Sequence, residues 1–143
     1  MMIYRRFFAA AAMLWICFIF SNSLQPAAAS AQASGRILEL LSTLMAGFPL
    51  TLTDHIVRKS AHFFEFSVLG FLLRGSIGRR MPLPVVGALI PCMDEGLQLL
   101  SDGRSARLSD VLLDCSGVLF GVLCFALLRA LIRRLWKGLS DRA

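Results

Sequence analysis

Residues 7–24 read FFAAAAMLWICFIFSNSL, eighteen positions without a charged side chain. A helix crossing a bilayer needs roughly 17–25 mostly apolar residues, so this run is long enough. Three more follow, at 61–77, 82–100 and 108–132, each of qualifying length but carrying ionisable groups. Of the 143 residues, 57% are hydrophobic and 17% charged, where soluble domains hold about 45–50% and about 25%. Too little polar surface remains to enclose a water-soluble core. That excludes an ordinary soluble enzyme, a disordered tail and a fibrous protein. The expected fold is all-α: a single domain over 1–143, built as a polytopic bundle of four transmembrane helices.

The net charge is +6. A basic balance can signal nucleic acid, but most of these arginines flank apolar runs, so the expected partner is the lipid bilayer and not nucleic acid. Ten basic residues (Arg5, Arg6, Arg74, Arg79, Arg80, Arg129, Arg133, Arg134, Lys137, Arg142) and Asp141 fall on one side of the four runs, a net +9. Five basic and eight acidic residues fall on the other, a net −3. Basic residues mark the cytoplasmic face. The expectation is a multi-pass protein of the bacterial inner membrane, both termini cytoplasmic, with 25–60 and 101–107 outside. A secretory leader is the competing reading of the N-terminus: a basic start, an apolar core, and small residues Ala27 to Ala33 that suit a cleavage site.

Between the first two runs, Ile37, Leu38, Leu41, Leu44, Met45 and Phe48 recur at helical spacing, with Arg36, Glu39, Ser42 and Thr43 opposite. The pattern predicts a short amphipathic helix over about 35–48 on the outer surface, ended by Pro49. Thr53 or Asp54 then caps the helix of the second run. The cysteines (Cys17, Cys92, Cys115, Cys124) all fall inside apolar runs without metal-finger or CxxC spacing, and read as small buried side chains.

The informative residues are those a membrane should exclude. His62 and Glu65 lie one turn apart on the second helix, with Lys59 one turn earlier; Asp94 and Gln98 share a face of the third, with Glu95 beside them. At 1.5 Å per residue, Asp94 lies about 9 Å below the outer end at Leu100. Asp110 and Asp114 open the fourth run, and Gly117 and Gly121 continue that face as a GxxxG step allowing close helix approach. Pro91 is expected to break the third helix one turn before the acidic pair and free a carbonyl. The outer loop adds Arg104 and Arg107. Three helices thus bring ionisable groups to one depth, in the outer third of the membrane. Each has a structural reading beside the functional one: His62–Glu65 as a pair that holds the bundle, Arg104 as a headgroup contact, Asp114–Gly117–Gly121 as packing. Adjacent carboxylates at 94 and 95 need partners or protonation in either case.

On these residues the chain resembles the VanZ-like family of small bacterial membrane proteins. The match lies in Trp15 and Ser21, in Arg58 to Phe66 leading into Leu69-Gly70, in Asp94-Glu95-Gly96-Leu97-Gln98, in Gly103-Arg104, and in Ser109-Asp110-Val111 with Asp114 and Gly117. It runs over roughly 15–125. Many members carry an aromatic-Pro-x-Arg stretch where this chain has Ser101-Asp102-Gly103-Arg104, and often Asn where Asp114 stands. The resemblance implies a multi-spanning inner-membrane protein with a retained first helix. The family takes its name from a member linked to teicoplanin resistance.

Three functions compete. The leading one is a non-enzymatic protein of the cell envelope that binds an amphiphile, either a lipid-linked cell-wall intermediate or a glycopeptide. In it Lys59 and Arg104 hold phosphate or carboxylate, and His62, Glu65, Asp94, Glu95, Gln98 and Asp110 complete an outward-facing site. The second is an enzyme acting on a lipid-linked substrate. In it His62, Glu65, Asp94 and Glu95 are the catalytic candidates, and with Asp110 they offer ligands to a divalent metal. The third, a proton-coupled transporter, ranks last because the cytoplasmic halves of the runs are almost bare of polar groups. The sequence leaves cofactor and oligomeric state open.

Overall fold

The computed structural model describes residues 2–44, 52–77 and 82–140. Five helices account for nearly all of them: α1 (Met2–Ser23), α2 (Ala27–Leu44), α3 (Asp54–Ile77), α4 (Leu83–Gln98) and α5 (Leu108–Ser140). Among the described residues there is no strand. Met45, Phe48, Pro49, Arg79, Arg80, Asp141 and Arg142 lie outside the described residues.

α3 is the central helix, packed along α5 on one side and α1 on the other. Paired contacts advance in step along α3 and α5, from His62 beside Asp114 to Phe71 beside Phe125, so these two helices run parallel. α1 runs the opposite way: Arg5 reaches the last turn of α3, while Asn22 reaches Glu65. α4 is antiparallel to α5, with Gly87 against Val118 and Glu95 against Arg107. The core is apolar and small: Ala12 and Ile19 from α1, Phe66, Leu69 and Leu73 from α3, Ile90 from α4, and Val118 and Val122 from α5.

The closeness of α3 and α5 follows from glycine. A Cβ at Gly117 would fall 2.6 Å from the Phe63 carbonyl oxygen, and one at Gly121 would sit 2.8 Å from the Phe71 nitrogen. Gly70 faces the Val118 backbone from the other side. The GxxxG step is therefore a backbone-to-backbone seam, as its spacing predicts.

Two helices, over Ile3–Ser23 and Leu108–Ser140, are long and apolar enough to cross a membrane. Only 11% of the apolar window of α1 is buried within the protein, so most of its apolar side chains face outward. Phe7, Met13, Leu14, Leu112, Leu119, Leu123 and Leu127 are all exposed. A surface of that kind calls for an apolar solvent rather than water.

Several sequence expectations change in detail. α2 starts at Ala27 rather than near 35, because the alanine-rich stretch is itself helical. Thr53 is the N-cap of α3, its Oγ1 accepting from the Ile56 N–H at 3.3 Å. α4 has 16 residues, a length of about 24 Å, and stops short of Leu100 in a turn that Gly103 completes at φ 74°. Pro91 does not break α4, which runs on through it. α5 continues to Ser140, and its residues from Leu127 onward are exposed on all sides.

Candidate functional site

The polar side chains collect at one end of the bundle, where α1, α3 and α4 join α5. α1 ends there with Asn22 and Ser23, α3 begins there with Arg58, Lys59, His62 and Glu65, α4 arrives with Asp94, Glu95 and Gln98, and α5 starts with Asp110 and Asp114. Arg74, Arg129, Arg133, Arg134 and Arg5 belong to the opposite half of their helices.

Asp94 is the best-supported carboxylate. It is fully buried, with Oδ1 accepting from Ser23 Oγ at 2.5 Å and Oδ2 from Gln98 Nε2 at 3.3 Å. Ser23 is in turn fixed by its carbonyl, which accepts from Ser101 Oγ at 3.0 Å. Glu95 is also buried; its Oε2 accepts the Arg107 backbone N–H at 2.8 Å, and its Oε1 has no partner. Glu65 Oε1 accepts from Asn22 Nδ2 at 2.9 Å, while the Glu65 carbonyl accepts from Trp15 Nε1 at 2.8 Å. Asp110 pairs with Lys59 and also accepts from Ser109 Oγ at 3.0 Å.

Asp114 is different. It is fully buried, and neither carboxylate oxygen has a hydrogen-bond partner. Its Oδ1 faces His62 Nδ1 at 3.9 Å. One ligand atom each from His62, Asp94 and Asp114 lie within 4.8 Å of one another. The face shared with Gly117 and Gly121 thus does two things: the glycines close the seam with α3, and the carboxylate one turn earlier points at the α3 histidine.

Above this cluster is a cavity of about 210 Å³ whose polar walls include Arg58, Lys59, His62, Gln98, Arg104, Arg107, Asp110 and Asp114. A neighbouring cavity of about 270 Å³ holds Asn22, Ser34 and Glu65 and shares Arg58, His62 and Arg104 with the first. The Nε atoms of Arg58 and Arg104 are buried there without partners. Arg104 Nη2 makes one long bond, 3.4 Å, to the Asn22 carbonyl. Burial, and then the nearby Arg58, hold the Arg104 pKa below its ordinary value, so an anion placed between them would be welcome. A third cavity, of about 270 Å³, is apolar: Ile56, Phe63, Phe64 and Leu113 form it with His55, Lys59 and Ser60. His55, Lys59 and Leu113 line both it and the first cavity.

A family model of VanZ/LLP1 matches residues 8–129. The chain belongs to the VanZ/LLP1 family. Comparison with curated proteins gives no match, and comparison with solved structures gives none either. Among the positions that carried the resemblance to this family, Trp15 ties α1 to the Glu65 carbonyl, while Ser21 turns outward and bonds to Phe18 of its own helix. Lys59, His62, Gln98, Arg104 and Asp110 line one cavity and Glu65 the next, whereas Asp94 and Glu95 lie beneath, turned toward Ser23, Gln98 and Arg107. Sequence reasoning missed Asn22 and Ser23. Their signal was there, a polar pair closing an apolar run, but it is also how any helix end looks.

Proposed function

We propose that this VanZ/LLP1 chain is a four-span protein of the bacterial inner membrane, termini inside, that binds an anionic amphiphile at its outer face. One observation carries the reading: the cationic cavity and the apolar trough share His55, Lys59 and Leu113. A phosphate would lie among Arg58, Lys59 and Arg104, and its hydrocarbon along Ile56, Phe63 and Phe64. Guanidinium groups suit phosphate because their fork can donate two bonds to it. The four-span placement draws on the alternating direction of α1, α3, α4 and α5 and on the gathering of basic residues opposite the cavity. Retention of α1 draws on Ala12 and Ile19 in the core and on Ser23 at Asp94. α2, with Ile37, Leu40 and Leu44 exposed, would lie in the outer headgroup layer.

The amphiphile we favour is a lipid-linked cell-wall intermediate, since its phosphate matches the arginines; a lipidated glycopeptide, offering a carboxylate and an acyl tail, is the other. The reading is tested with purified protein in detergent and a long-chain isoprenoid phosphate. Wild type should bind it, and Arg58→Ala with Arg104→Ala should bind at least about tenfold more weakly, the loss of one charge-assisted contact. Equal binding by both removes the idea. Teicoplanin inhibition of a susceptible host, with and without expression, tests the resistance link. A second reading, a metal-dependent enzyme acting on a lipid-linked substrate, is favoured by the approach of His62, Asp94 and Asp114 beneath the same cavity.

A further inference from the structure

Asp94 and Asp114 are two fully buried carboxylates from different helices that face one imidazole. Asp94 is held by Ser23 and Gln98, but Asp114 has no hydrogen-bond donor among the described residues. No cationic side chain among them bonds to it: Lys59 pairs with Asp110, Arg58 with Asp54, and Arg104 reaches the Asn22 carbonyl. A carboxylate in such a place calls for a cation or a proton, and a second carboxylate and an imidazole beside it suit a shared cation. We propose that His62, Asp94 and Asp114 form a three-ligand site for a divalent transition-metal ion at the floor of the cationic cavity. This goes beyond amphiphile binding and does not depend on it.

Three features support the assignment. First, one imidazole and two carboxylates are the hard and borderline donors that suit zinc or manganese, and two carboxylates neutralise a divalent charge within the protein. Second, the spacing is near what an ion needs. Bonds of about 2.0–2.2 Å put the ligand atoms of one ion about 3–4 Å apart; His62 Nδ1 and Asp114 Oδ1 are 3.9 Å apart, and the whole trio lies within 4.8 Å. A small inward rotation of side chains closes the rest. Third, Asp94 has an outer layer: Ser23 and Gln98 fix its two oxygens, as hydrogen-bonded partners commonly orient a ligating carboxylate. His62 and Asp114 reach the cavity wall, which gives the ion an entry path and leaves its remaining positions facing the cavity.

The test uses full-length protein in detergent, stripped with a chelator and titrated with Zn²⁺, then Mn²⁺, against a chromophoric competitor without lipid. The expected result is one ion per chain for wild type and for Glu39→Gln, an exposed carboxylate on α2 that lines none of the cavities. Asp114→Asn and His62→Gln should each lose at least about a hundredfold in affinity, more than the 10–100-fold typical of an outer-layer change. Ser23→Ala, which touches Asp94 and not the ion, should lose about tenfold. Asp114→Asn also replaces a buried carboxyl that has no hydrogen-bond partner with a neutral group of the same shape, so with chelator present its Tm should equal or exceed that of wild type, showing that it folds. Wild type taking up less than one ion per chain overturns the proposal. So does equal uptake by wild type, Asp114→Asn and Ser23→Ala, which would mean adventitious binding. Isoprenoid phosphate binding is measured separately, so either proposal can fail while the other stands.

Discussion

Cys115 donates its thiol to the Gly87 carbonyl oxygen at 3.3 Å. Gly87 is four residues before Pro91, and Pro91 has no N–H to offer it. The thiol on α5 therefore takes the place of a missing bond in α4, and α4 passes through its proline without breaking. Cys115→Ala should lower stability by about 1 kcal/mol, the cost of an unmet, half-buried carbonyl. Pro91→Ala restores the helical N–H, so in that background Cys115→Ala should cost little. Thermal unfolding of the four proteins in a double-mutant cycle gives the coupling directly.

The seam between α3 and α5 makes a sharper forecast. Gly117→Ala and Gly121→Ala both set a methyl group against α3 backbone, and overpacking of this kind costs about 1–3 kcal/mol or more. Gly138→Ala, where nothing lies within 4 Å, should be neutral or stabilise by up to about 1 kcal/mol through helix propensity. Melting temperatures of the three variants should separate into those two groups.

α2 is held to α3 at Ser34, whose Oγ donates to Asp54 Oδ1, while Arg58 donates to Asp54 Oδ2 at 2.6 Å. The Ser34 bond and then the arginine outweigh desolvation, so the Asp54 pKa lies below the ordinary aspartate value. A depressed folded-state pKa gives stability that is complete above the unfolded value and is lost as pH falls through the folded one. Hydrogen exchange in 27–44, taken relative to the intrinsic rate at each pH, should be unchanged across neutral pH and rise in acid below about 4. In Ser34→Ala it should already be faster at pH 7. Equal protection of α2 in wild type and Ser34→Ala at pH 7 would contradict the latch.

The end of α5 makes no buried contact: Leu131, Leu135, Trp136 and Leu139 are all exposed beside Arg133, Arg134 and Lys137. Deleting residues 133–143 should leave the Tm in detergent unchanged. Trp136 should blue-shift in fluorescence when the full chain is mixed with anionic vesicles, since its basic, apolar surroundings suit a headgroup layer.

The major helices were legible because their apolar runs are long and their charges sit at definite turns. So was the seam, from the spacing of Gly117 and Gly121. The boundaries were less so. Ala27 to Ala33 are helix formers that also resemble a cleavage site, and α5 outlasts its apolar stretch because the amphipathic pattern after Arg129 is still helical. Asp114 read as packing because its neighbours are glycines; only the register of α5 against α3 shows that the same face aims a carboxylate at His62. Pro91 read as a break because a thiol donor on another helix leaves no mark in the α4 sequence.

In the bilayer placement proposed above, the brevity of α4 has a mechanical result. At about 24 Å it falls some 6 Å short of a hydrocarbon slab of about 30 Å. The lipids beside it must compress or tilt to cover the difference. The molecule would then sit in a dimple of its own making, with phosphate groups drawn toward the midplane along one flank, and thinner membranes would hold it with less strain.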